Sequence, residues 1–136
     1  MSLLSVLARA ALGAPFVYLG YQAVKTPGGR VAIATDFGIP AEYAETAVRA
    51  NGAAMVLGGL SVATGVLPRL GALAVAGAMV PTTLAGHSFW KDTDPKTRGA
   101  NLTQFLKNLG LVGGLLAVAS ELRGSSACCE GSSTEA

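Results

Sequence analysis

Residues 86 to 110 read GHSFWKDTDPKTRGANLTQFLKNLG, a stretch in which His87, Phe89, Trp90, Gln104, Lys107 and Asn108 crowd between two apolar runs. Histidine, lysine and asparagine side chains donate hydrogen bonds, glutamine both donates and accepts, and the aromatic rings offer faces for stacking. Such a set could bind a ligand, whereas evidence for bond-making chemistry is missing. The sequence contains one histidine, which cannot build a metal site alone, and no HExxH, CxxC or carboxylate cluster accompanies it. No nucleophile and base stand at a readable spacing, and TPGGR is an ordinary turn rather than a phosphate cradle. No catalytic residue and no metal ligand can therefore be named. Cys128 and Cys129 are the only thiols; free tail thiols, palmitoylation, metal capture and thiol exchange all stay open for them.

The elements that must position these residues are apolar helices. Of the 136 residues, 51% are hydrophobic and 13% charged, against about a quarter charged in soluble domains. Four segments are long and apolar enough to cross a bilayer, which takes about 20 residues of helix. From Leu3 to Val24 only Arg9 interrupts; Ala50 to Pro68 and Leu70 to Trp90 carry no charge; Leu102 to Ser120 carries only Lys107. The second and third show no polar face at helical spacing, which argues against a soluble bundle. Pro15, Tyr18, Tyr21 and Gln22 break the first as a signal-peptide core, so it is expected to remain a helix. The expected fold is all-α: four transmembrane helices, with Ala41 to Arg49 as a short interfacial helix between the first two that runs into the second.

Small residues four apart, Ala54 with Gly58, Ser61 with Gly65 and Gly110 with Gly114, would let helix backbones approach closely. Pro81 predicts a kink in the third helix, with Thr82 and Thr83 able to bond freed carbonyls. The membrane domain is expected over residues 1–123, and RGSSACCEGSSTEA implies a disordered tail over 124–136.

Because successive spans reverse direction, one membrane face gathers Tyr21, Gln22, Lys25, Asn51, His87, Trp90, Gln104, Lys107 and Asn108. Gln104, Lys107, Asn108 and Leu111 form one stripe on the last helix. Two readings of this polar mouth stay open. Trp90 and Tyr21 could belong to the interfacial belt while Lys107 snorkels to the headgroups; alternatively, an ionisable residue within a span marks a cavity or pathway. A quinone, being a lipid-soluble carbonyl compound, would suit the second, with His87, Lys107 or Asn108 donating and Trp90 or Phe89 stacking. Lys25, Arg30, Arg49, Lys91, Lys96 and Arg98 flank the mouth, against Arg9, Arg69 and Arg123 opposite, so the mouth is expected on the cytoplasmic side of a cell membrane. The net charge of +2 argues no nucleic-acid binding.

VPTTLAGHSFW followed by FLKNLGLVGGLL, with RANGAAMVLGGLSVATGVLPRLGALAVAGAMV before them, resembles the DoxX family of small four-helix membrane proteins, from about Arg9 to Leu122. On that resemblance His87, Phe89, Trp90, Phe105, Lys107 and Asn108 fall on the family motif. The resemblance implies a membrane subunit or anchor of a redox or thiol-stress system, linked to thiosulfate:quinone oxidoreductase subunits, with a soluble oxidoreductase or sulfurtransferase as partner. A non-catalytic scaffold or small-molecule carrier, alone or as a homo-oligomer, is the competing expectation.

Overall fold

The computed structural model describes residues 2–127. The chain is all-helical there: α1 (Leu3–Lys25), α2 (Gly29–Phe37), α3 (Ala41–Thr64), α4 (Pro68–Gly86), a 3-10 turn (Phe89–Lys91) and α5 (Pro95–Ala127). Several boundaries have a local cause. The Ser2 hydroxyl accepts from the Ser5 N–H at 3.2 Å and opens α1. Gly38 (φ 117°) and Gly65 (φ 78°) close α2 and α3 in the left-handed region that glycine enters without steric cost. Leu67, a non-glycine at φ 50°, is held in the next turn by Ser61, whose hydroxyl reaches the Val66 and Leu67 carbonyl oxygens at 2.5 and 2.9 Å. Asp94 opens α5, accepting from the Thr97 N–H and hydroxyl at 2.9 and 2.8 Å. Those bonds, the backbone one foremost, hold its carboxyl below the usual carboxylate range, so the cap persists above that range and is lost as pH falls through the lowered value.

Three segments are long and apolar enough to cross a membrane: Leu3–Lys25, Pro68–Lys91 and Pro95–Ser120. The expectation of four is met in part. α3 has the length, but Glu42, Glu45, Arg49 and Asn51 dilute its apolar character, and it is not one of the three. Ala41 to Arg49 runs without a break into the next long helix, as expected, and forms the opening turns of α3. The separate short helix between the first two long ones is instead α2, in a stretch whose Pro-Gly signal reads as a turn. Pro81 lies inside a continuous α4, where the Thr82 hydroxyl donates to the Ala78 carbonyl oxygen at 2.9 Å.

The long helices pack antiparallel, with α3 between α1 and α4 and α5 against α4. The α1–α3 crossing is made by glycines the sequence reading passed over. A methyl group on Gly20 would stand 2.5 Å from the Gly52 carbonyl oxygen, and one on Gly59 would stand 2.9 Å from that of Gly13. Gly58 and Ser61 do serve as expected, against Val75 and Gly71 of α4. Gly110 has open space around it and Gly114 meets only Leu12, so that pair makes no close crossing within the chain. Phe16, Val62, Val75 and Leu115 are the largest fully buried side chains, one from each long helix. Leu4, Leu57, Leu70, Leu106 and Leu109, by contrast, point outward. Such an apolar exterior is a liability in water and the normal solvated surface in lipid.

Candidate ligand cavity

At the end of the bundle where α1 finishes and α3 begins, α2 covers a cavity of about 450 Å³. α2 contributes Arg30, Ile33, Ala34 and Phe37, spaced i, i+3, i+4 and i+7, the signature of one helical face. α3 adds Ala47, Val48, Asn51 and Met55, and α4 adds Pro81, Thr82 and Ala85, with His87 just beyond its end. The walls are mainly apolar with a few polar groups, the usual character of a small-molecule site. Asn51 is held by a 3.0 Å bond from its Nδ2 to the Thr82 hydroxyl. His87 Nδ1 is buried without a hydrogen-bond partner, a condition native interiors rarely leave unresolved.

The six residues expected to bind a ligand separate into four places. His87 lines the cavity. Phe89 and Trp90 pack edge-to-face with each other, centroids 5.2 Å apart, and each meets Phe105 of α5, at 5.4 and 6.2 Å. Gln104 and Lys107 are exposed on α5, and Asn108 Nδ2 donates to the buried Thr83 hydroxyl at 3.0 Å, tying α5 to α4. Of the other residues placed at the mouth, Asn51 is on the cavity wall, Gln22 bonds the Tyr18 hydroxyl at 3.4 Å, and Lys25 lies over the Tyr21 ring at 5.6 Å. The α2 face was missed: Arg30, Ile33, Ala34 and Phe37 share one helical face, but it spans only four positions behind a turn signal. Among the described residues no three His, Cys, Asp or Glu side chains gather at one point. Cys128 and Cys129 lie outside the described residues.

The Asn108 bond supports a modest prediction. Replacement by Leu leaves the Thr83 hydroxyl without its partner, so Asn108→Leu is expected to cost about 1 kcal/mol, the scale of interhelical hydrogen bonds in membranes. Unfolding of the purified protein in mixed micelles checks this; no loss would mean that the bond contributes nothing to α4–α5 packing.

Apolar helices of spanning length, an outward-facing leucine surface and a cavity at one end of the bundle define a multi-pass integral membrane protein. A family model described as DoxX matches residues 4–88, more than half of the chain, and the protein belongs to that family. The matched region includes His87 and the cavity-lining parts of α1 to α4, and ends before Phe89, Trp90, Phe105, Lys107 and Asn108. No curated protein and no solved structure matches the chain.

Proposed function

We propose that this DoxX-family protein crosses the membrane four times, through α1, α3, α4 and α5, with α2 at the membrane surface, and holds a lipid-soluble ligand in the cavity beneath α2. The fourth span is argued from position: α3 packs between α1 and α4, both of spanning length. Its charges cluster in the first turns, where Arg49 pairs with Glu45 at 2.8 Å and donates to the Val24 carbonyl oxygen. The basic residues near this end favour the cytoplasmic side for it.

The observation that carries the ligand reading is the unpartnered, buried His87 Nδ1 beside an apolar cavity. The DoxX resemblance suggests a quinone as one such ligand, with the chain as the membrane subunit or anchor of a redox or thiol-stress system. A quinone would supply the electron transfer; the chain's own part is to seat the ring among apolar side chains and to meet a carbonyl with the His87 imidazole. Phe89 and Trp90, packed on Phe105, would anchor the same end at the interfacial belt. Co-purification of a soluble oxidoreductase or sulfurtransferase supports the redox assembly, and a lone oligomer supports a scaffold or carrier.

Titration of decylubiquinone into protein held in lipid nanodiscs tests the site. His87→Leu is expected to weaken binding roughly threefold to tenfold, the worth of a hydrogen bond, without loss of stability, because it removes a buried polar atom that lacks a partner. Lys107→Met is expected to bind as wild type does, since Lys107 is exposed on α5 away from the cavity. Weakening by Lys107→Met with none by His87→Leu would move the site to α5.

A further inference from the structure

Among the residues lining the cavity, Arg30 alone carries a fixed charge, and no carboxylate lines the cavity at all. Its hydrogen bonding is nearly unused. One guanidinium N–H reaches the Thr26 carbonyl oxygen at a long 3.4 Å, although five N–H donors are available. The first turn of α2 contains no acidic residue. The neighbouring cations are engaged otherwise: Arg49 with Glu45 and the Val24 carbonyl, Lys25 with the Tyr21 ring. Arg30 shares a helical face with Ile33, Ala34 and Phe37, so one short helix presents a cation at its start and apolar side chains along the rest. A volume of about 450 Å³ is within the range that accommodates small lipid-like molecules.

We infer that the cavity takes a single-chain amphiphile with an anionic headgroup, a carboxylate or a phosphate, whose head pairs with Arg30 while its chain lies against Ile33, Phe37 and Met55. This rests on the cavity reading above and not on the quinone, which is uncharged. Guanidinium binds both headgroups through paired N–H donors in a geometry that ammonium cannot reproduce. The exposure of Arg30 places the head at the cavity rim, where it keeps contact with water, and leaves the apolar depth to the chain.

Photo-crosslinking in nanodiscs tests this with two probes of equal length, a diazirine-bearing palmitic acid in its ionised form and the matching alcohol. The acid is expected to label cavity-lining residues of α2 and α3 in the wild type, and the alcohol to label them weakly. Arg30→Met should reduce the apparent affinity for the acid roughly tenfold to hundredfold, as loss of a charge-assisted bond does. Arg30→Lys should recover part of it, and both variants should unfold at the wild-type temperature. Competition by unlabelled palmitate against lysophosphatidic acid tells a free carboxylate from a phosphate headgroup, and displacement by either agrees with the inference. Equal labelling by acid and alcohol, unchanged in Arg30→Met, would overturn the anionic headgroup and keep the cavity as a ligand site. Absence of cavity labelling by either probe would overturn both.

Discussion

Gly20→Val is expected to destabilise the bundle by about 3 kcal/mol or more, at the upper end of what overpacking costs. The reason lies in what surrounds the α1–α3 crossing. A first side-chain carbon at Gly20 meets the Gly52 carbonyl oxygen at 2.5 Å and the Val56 nitrogen at 2.9 Å. Both are backbone atoms, so no side-chain rotation relieves the clash, and the helices must separate. Gly77 and Gly110 supply the control, because a methyl group at either meets nothing within 4 Å. Their alanine variants should stay within about 1 kcal/mol of wild type, with any gain coming from helix propensity. Unfolding of the three variants in mixed micelles checks the contrast; Gly20→Val as stable as Gly77→Ala would contradict the crossing.

Phe16→Ala carries the other large expected effect. Phe16 is fully buried on α1 in a cluster with Met55 and Val62 of α3, Val75 and Met79 of α4, and Leu115 of α5. Removing its ring leaves a void in that core, and Phe-to-Ala changes in packed cores cost about 3 to 5 kcal/mol. Lipid tails offer an apolar alternative to the chain but cannot reach a fully enclosed site, so the lost dispersion contacts are not replaced. The variant should unfold at markedly lower denaturant, while truncation of the outward-facing Leu70 should have little effect. Equal losses at the two positions would mean that Phe16 does not hold the bundle together.

The long helices were legible because their apolar runs exceed what a soluble domain tolerates, and because charges cluster between them. Less was legible where two signals compete. PGGRVAIATDFG opens with turn residues, and that punctuation hides a helical face of only four positions; a nine-residue helix offers too few turns for its period to stand out. The tight crossings followed a similar pattern. Small residues occur throughout the apolar runs, and spacing within one helix does not say which neighbour it faces, so the Gly110–Gly114 spacing stood out while Gly52 and Gly59, which make the crossing, did not. The polar residues near the mouth were placed at the right end of the bundle by the alternation of spans. Rotation about each helix axis then separated them, sending His87 and Asn51 to the cavity wall, Asn108 to Thr83 and Lys107 outward. Rotational setting depends on packing against neighbours, which a single sequence does not display.

Filling the space beneath α2 should expel the lipid-soluble molecule that it holds. Ala47 lies on the α3 wall of the cavity, opposite no glycine crossing. In Ala47→Trp the indole should occupy much of the volume without disturbing the α1–α3 or α3–α4 contacts. Native mass spectrometry of protein released from its own membrane is expected to find one small lipid-soluble molecule retained by the wild type and absent from Ala47→Trp, at unchanged thermal stability. The same molecule retained equally by both, or none retained by the wild type, would contradict the assignment of this cavity as the functional site.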